Sequence, residues 1–310
     1  MHLQTLLPLA LAASTSALPN VQPRNAHPKS AYNPPGAPGS DACKADTCCI
    51  WGHITNEMIV AFSDGPRCSS LARGAIRLGF HDAAAWNSSL PYGGADGSIL
   101  LNPEELPRFE NRGLEAIAGQ TRAWFDAYKQ YGISMADLIQ VGANVAVAVC
   151  PQGPHIKTLV GRKDSAELPP PGLLPTPKQD APTLIGLFAA KTFSADDLVA
   201  LTGAHTVSRQ FNVEPEKAGA PQDSTPGEWD NKYYAETAAQ SAPRGIVRFP
   251  SDVSLATDAA TAGKWQQFAA RDGQRAWGGH YADAAFRMTL LGVKNVGELV
   301  DCSGILPVRR

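Results

Sequence analysis

The 310-residue chain lacks an excess of charge of either sign: 27 Lys and Arg stand against 29 Asp and Glu, for a net charge of −2. Without a basic stripe it has no electrostatic footprint for nucleic acid. Nothing in the balance favours a binder of acidic substrates or a membrane-surface protein. Beyond the first residues no apolar run reaches the roughly 18 residues of a membrane-spanning helix, so no membrane partner is expected. Paired CxxC motifs and Cys/His clusters with zinc spacing are absent. Period-two alternation is scarce and no internal repeat occurs, which argues against sheet-rich and solenoid architectures. What is left is a mainly α class, long enough for one large domain or two closely packed halves.

The N-terminus carries what the rest lacks. Leu3 to Ala13 is apolar and is followed by Ser14-Thr15-Ser16-Ala17. This predicts a signal peptide over 1–17 with cleavage after Ala17, and hence a secreted, extracellular protein. The cysteines fit an oxidising compartment. Six of them, Cys43, Cys48, Cys49, Cys68, Cys150 and Cys302, permit three bridges and leave the pairing open. Neighbouring Cys48 and Cys49 must reach different partners, because a ring between adjacent residues is strained. Asn87-Ser88-Ser89 is a glycosylation sequon. Residues 18–41, rich in Pro, Gly, Asn and Ser, read as a propeptide or flexible arm. A proline-rich connection over 164–182 divides a first half, 42–180, from a second, 181–310.

Three helices have readable starts. Ser69 or Ser70 caps one that runs through Leu71, Ala75, Leu78 and His81. Ser134-Met135-Ala136-Asp137 has capping-box form and opens a helix through Leu138, Val141, Val145 and Val149 that stops at Cys150-Pro151. That helix is apolar on nearly every side, which predicts deep burial. Ser194-Ala195-Asp196-Asp197 is a second capping box. Its helix places Leu198, Leu201 and His205 at i, i+3 and i+7, which predicts His205 on a buried stripe. A loop rich in Pro, Gly and Asp covers about 214–230, and a last long helix is expected from Gly279 to Gly292.

Arg77 and His81 stand one turn apart on a single helical face. A fixed cation beside a titratable base is suited to moving protons and to stabilising new negative charge. Gly93-Gly94-Ala95-Asp96-Gly97-Ser98 combines a flexible backbone with alternating oxygens, as a hard cation requires.

Read together with Gly203-Ala204-His205-Thr206, these motifs resemble the secreted fungal haem peroxidases, class II of the plant-type peroxidase superfamily, over about residues 42–307. The resemblance implies the plant-type haem peroxidase fold, with two helical halves sandwiching one haem b. It makes His205 the axial ligand of the haem iron. Asp252, in Phe249-Pro250-Ser251-Asp252, would accept from the other ring nitrogen and favour high iron oxidation states. His81 and Arg77 would lie above the iron, with Phe80 packed over the macrocycle. Asn111 would hold the second ring nitrogen of His81, supported by the acid Glu105. Two calcium ions are implied: one at Asp82, Gly94, Asp96 and Ser98, the other at Thr206, Asp223, Thr225, Glu228 and Asp230. The family's bridge pattern gives Cys43–Cys49, Cys48–Cys302 and Cys68–Cys150. A further cysteine pair that relatives use near the C-terminus is missing.

The activity so implied is that of an extracellular monomer. It reduces hydrogen peroxide through an oxoferryl intermediate and oxidises small phenolic or aromatic donors at the haem edge. Departures from the family narrow the donor. Where manganese-oxidising relatives carry three acids, this chain has Ser70, Gly74 and Phe211. Where lignin-oxidising relatives often carry a surface Trp, it has Ala200. Phe80 stands where intracellular catalase-peroxidases have Trp, which argues against that class. Gln222 replaces the usual aromatic before Asp223. Two alternatives remain. One is a ligninolytic enzyme with a surface Trp or Tyr radical, although Trp86, Trp229 and Trp277 read better as packing. The other is a secreted haem- or calcium-binding protein without turnover, against which the Arg77, His81 and Asn111 set speaks.

Overall fold

The computed structural model describes residues 28–308, so the signal peptide expected over 1–17 lies outside the described residues. Among these residues the fold is mainly helical. α1 (Asp41–Lys44), α2 (Cys49–Phe62), α3 (Ser70–Ala83), α4 (Ser98–Leu101), α5 (Glu115–Tyr128) and α6 (Met135–Val149) precede the proline-rich connection. After it come α7 (Ala181–Ala189), α8 (Ala195–Thr202), α9 (Lys232–Ala238), α10 (Pro250–Thr257), α11 (Ala262–Ala269) and α12 (Gly273–Met288). Strands occur as three antiparallel pairs of two residues each: β1 (Lys29–Ser30) with β6 (Pro307–Val308), β2 (Ser63–Asp64) with β3 (Arg67–Cys68), and β4 (Leu159–Val160) with β5 (Val300–Asp301). No helix of the described residues is long and apolar enough to cross a membrane.

The arm expected over 18–41 is a docked segment from residue 28 onward. β1 pairs with β6, the Tyr32 hydroxyl donates to Asp46 at 2.5 Å, and Tyr32 covers Gly52 of α2 so closely that a Cβ there would meet its ring at 2.6 Å. An aromatic ring over a helical glycine supplies the apolar contact that composition alone hides. The cysteines pair as Cys43–Cys49, Cys48–Cys302 and Cys68–Cys150, the pattern that the resemblance implies, and no free thiol is left.

Capping decides where the central helices begin. Ser69 accepts from Ala72 N–H to start α3. Ser194 and Asp197 form a complete reciprocal box at α8. The box expected at α6 forms only in half. Ser134 accepts from Asp137 N–H, but the Asp137 carboxylate turns inward to accept from Gly161 N–H at 2.6 Å and from Arg162 Nη1 at 2.8 Å. A buried guanidinium outcompetes the helix end for that carboxylate because both charges would otherwise lie unpaired. The last helix begins earlier than its glycines suggest, at Gly273. Buried Trp277 and Tyr281 hold it together across Gly278 and Gly279.

α6 is buried on nearly every side, and α3 packs along it. The approach is close because Gly79 has no side chain: a Cβ at that position would stand 2.5 Å from the Cβ of Ala143. Gln140 of α6 donates to Gly79 O at 3.2 Å and ties the pair. This seating aims the Arg77–His81 face of α3 away from α6 and into the cleft between the halves.

Candidate active site

A cavity of about 1170 Å³ opens between the helices before and after the proline-rich connection. Arg77, Phe80 and His81 line it from α3, and Leu201, His205 and Asp252 line it from the other side.

On the α3 side His81 is buried. Its Nδ1 lies 2.8 Å from Asn111 Oδ1, and Asn111 Nδ2 donates to the backbone carbonyl of Glu105 at 2.8 Å. That second bond fixes the amide with its oxygen toward the imidazole, so Nδ1 carries the proton and Nε2 is the basic nitrogen. Burial first, and then the Arg77 charge, push the His81 pKa down to about 3, against the opposing Asn111 bond. The ring is therefore neutral over any ordinary working range. Arg77 is held at three points, by Arg112 O at 2.7 Å, by Glu110 O at 2.8 Å and by its Nε–H donated to His81 Nε2 at 3.1 Å. Phe80 stacks on Phe188 of α7 with ring centroids 6.3 Å apart and meets His81 edge-on at 5.8 Å.

His205 departs from its expected setting. α8 ends at Thr202 and a tighter 3-10 turn, Gly203–Val207, carries the imidazole. Gly203 permits that turn, since a Cβ there would lie 2.3 Å from Tyr234 Oη and 2.5 Å from Trp277 Nε1. The change of pitch takes His205 off the buried stripe and leaves its side chain 35% exposed toward the cavity. Nδ1 pairs with Asp252 Oδ2 at 2.9 Å, which leaves Nε2 free on the cavity side. Asp252 is buried near the start of α10. Tyr233 and Phe249 wall the ring edge-on at 5.8 and 5.6 Å.

Glu105 differs most from expectation. It supports Asn111 through its backbone, while its buried carboxyl leaves Oε2 without a hydrogen bond and is pushed up to about 7, first by burial. The expected distal calcium residues have similar orphans: Asp82 Oδ1 and Ser98 Oγ are buried and unpartnered. Burial, with Asp96 and Glu105 close by, drives the Asp82 carboxyl well above the carboxylate range. Gly94 has φ +98°, and a Cβ there would stand 2.2 Å from Leu291 O, so the turn admits only glycine. This donor set of buried oxygens and competing acids fits a hard cation.

On the other side Thr206 Oγ1 lies 2.5 Å from Asp223 Oδ2 and 3.5 Å from Glu228 O, and Thr225 Oγ1 lies 2.9 Å from Asp230 Oδ2. Thr225 N–H donates to Asp223 Oδ1 at 2.9 Å, which brings the two groups, all five expected residues of the second calcium set, together. Burial raises the Asp223 carboxyl to about 7. Cys43, Cys49 and His53 also cluster, but the two sulfurs are spent on each other.

The peroxidase family model matches residues 54–271. A peroxidase of Arthromyces ramosus is 31% identical over 292 residues, which cover 87% of this chain and 79% of that one. The chain belongs to the peroxidase family. Other relatives of this haem peroxidase are the versatile peroxidase VPS1 of Pleurotus eryngii, 29% identical across 85% of this chain and 75% of its own, and ligninase LG5 of Phanerodontia chrysosporium, 28% identical across 86% and 76%. All three are fungal class II peroxidases, as the motifs led one to expect.

The peroxidase cavity suits haem. It is large, its lining is largely apolar, and it receives one imidazole with a free Nε2 from the Asp252 side and a second, neutral imidazole from the other. Sequence reasoning did not find Tyr233, whose hydroxyl lies 3.4 Å from His205 Nδ1, nor the carbonyls of Glu110 and Arg112 that hold Arg77. No motif marks these groups, because a backbone carbonyl is common to all residues and Tyr233 sits far along the chain.

Proposed function

We propose that this haem peroxidase reduces hydrogen peroxide and oxidises small phenolic donors at the edge of one haem b held between His81 and His205. The carrying observation is the pairing of a neutral, Asn111-held imidazole and an Asp252-bonded imidazole across one cavity. Haem bound there supplies a redox-active iron that takes two oxidising equivalents from peroxide and passes them to donors. His205 Nε2 would hold the iron, and Asp252 would orient the ring and make it a stronger ligand.

The remaining roles belong to side chains. His81 Nε2 accepts the peroxide proton and returns it to the departing oxygen, which spares the site a separate acid and base. Asn111 keeps the proton on Nδ1 so that Nε2 stays basic. Arg77, a fixed cation, stabilises the negative charge that develops as the O–O bond breaks. Its bond to His81 Nε2 occupies the position that peroxide must take, so substrate entry exchanges one donor for another. Phe80 and Phe188 keep water from the α3 side. Exposed Phe109 and Phe211 line the mouth and offer aromatic faces to a phenol. Phe211, Ser70 and Gly74 provide no carboxylate for Mn(II). Two calcium ions would occupy the sets around Asp82 and Asp223. The oxidised bridges support an extracellular setting.

The tryptophan form of the surface-radical alternative has little to stand on. Trp229 and Trp277 are wholly buried and stacked at 5.4 Å, and of the six tryptophans only Trp86 is not buried. Stopped-flow mixing of the haem-loaded protein with peroxide, and then with phenols, Mn(II) and non-phenolic dyes, tests the reading. A Soret band, a fast reaction with peroxide and turnover of phenols alone are expected. A protein that takes up no haem, or a His81→Ala variant as fast as wild type, would reject it.

A further inference from the structure

Gln222 occupies a place where the resemblance leads one to expect an aromatic ring, and its amide is directed. Nε2 donates to Asp252 Oδ2 at 3.1 Å, and Ser208 Oγ bonds the other end of the amide, Oε1. A carboxylate oxygen can only accept, so the nitrogen must face Asp252 and the oxygen must face the hydroxyl. The amide is buried, as are Asp252 and Ser251. Asp252 Oδ2 is also the atom that His205 Nδ1 meets at 2.9 Å. One carboxylate oxygen thus serves two N–H donors. Ser251 Oγ donates to Oδ1 at 3.0 Å, and the Tyr233 hydroxyl faces the same carboxylate.

From this geometry we infer that Gln222 is a positioning residue that tunes the iron potential through Asp252. The inference rests on His205 being the haem ligand, and it concerns a position where this chain departs from its relatives. An acceptor that serves one donor has less electron density for a second. The Gln222 amide therefore weakens the pull of Asp252 on the His205 proton. The imidazole keeps more neutral character and donates less charge to the iron, which favours the reduced metal. An aromatic ring at the same position, with no N–H to offer Asp252, would leave the aspartate fully committed to His205. The Ser208 hydroxyl matters because it stops the amide from flipping.

The test is Gln222→Met, which has similar length and no donor. The readouts on haem-loaded protein are the ferric/ferrous midpoint by spectroelectrochemistry and the iron–imidazole stretch of the ferrous form by resonance Raman. A more negative midpoint and a higher stretching frequency are expected, with the calcium content unchanged. Gln222→Glu, which sets a second carboxylate against Asp252, controls for size and is expected to differ from the Met variant in both readouts. Ser208→Ala loosens the amide without touching its packing. It should move both readouts in the same direction by less, and it decides the matter if Gln222→Met fails to take up haem. Unchanged midpoint and stretch in Gln222→Met, or in Ser208→Ala where it must stand in, would overturn the inference. A wild-type protein whose ferrous form has no iron–imidazole stretch would instead reject His205 as the ligand.

Discussion

Replacing Asn111 with valine tests the α3 side of the site by removing the amide from a buried position. The amide makes two bonds: its Oδ1 accepts from His81 Nδ1–H and its Nδ2 donates to Glu105 O, both at 2.8 Å. Valine leaves the imidazole two poor choices. It can keep its proton on Nδ1, now buried against a methyl group with nothing to accept it. Or it can move the proton to Nε2, where it faces the Arg77 Nε–H at 3.1 Å and can no longer take a proton from peroxide. A buried unpaired donor costs about 1–3 kcal/mol. Carried into the barrier, that is about a 5- to 150-fold loss in the second-order rate with peroxide, at 1.36 kcal/mol per decade. Deleting the ring in His81→Ala should cost more, about 10²- to 10⁴-fold. The assay is stopped-flow absorbance of haem-loaded protein at fixed pH, with the Soret band and circular dichroism checked first. The sign with pH can also be read. His81 titrates near 3, so the wild-type rate should be flat from pH 5 to 8. Asn111→Asp places a carboxylate on the imidazole, stabilises its protonated form and should bring an acid limb up toward neutrality. An Asn111→Val protein that reacts with peroxide as fast as wild type would refute the assigned tautomer and with it the role given to His81.

Other outcomes follow from the same contacts. Chelation should release about two calcium ions per chain, counted by mass spectrometry, and lower the melting temperature. In the metal-free protein Asp223 and Glu105 titrate near 7 instead of near 4, so the folded form binds more protons than the unfolded one between those values. Stability then falls as pH rises through that window, and the chelated protein should melt lower at pH 8 than at pH 5. Gly79→Ala forces a Cβ to within 2.5 Å of Ala143 and should cost about 1–3 kcal/mol, read as a lower melting temperature with slower peroxide reaction. Mn(II) should not serve as donor to the wild type, because Phe211 stands where a third carboxylate would be needed, and Mn(II)-dependent turnover at a rate comparable to phenols would contradict that.

The sequence made local features legible and left directed long-range contacts dark. The α3 cap and the Arg77–His81 face needed only helical period and a serine, and both stand in the structure. The capping signature at Ser134 caps the helix, yet the Asp137 carboxylate goes to Arg162, a partner 25 positions away. Helical spacing puts His205 on a buried stripe, whereas packing of Gly203 against Tyr234 and Trp277 favours the tighter turn. The resemblance points to the Glu105 acid, whereas the oxygen that meets Asn111 is the backbone carbonyl, which only the course of the chain decides. Gln222 was visible as a departure, and the sign of its effect awaited the shared oxygen on Asp252.

The bridge between Cys48 and Cys302 joins the residue ahead of α2 to the residue just after β5. A protease that nicks the exposed proline-rich connection would therefore release no fragment. The cut enzyme would run as one species on a denaturing gel until a reductant is added, and then as two. Such a molecule keeps the two walls of its cavity tethered after its first wound.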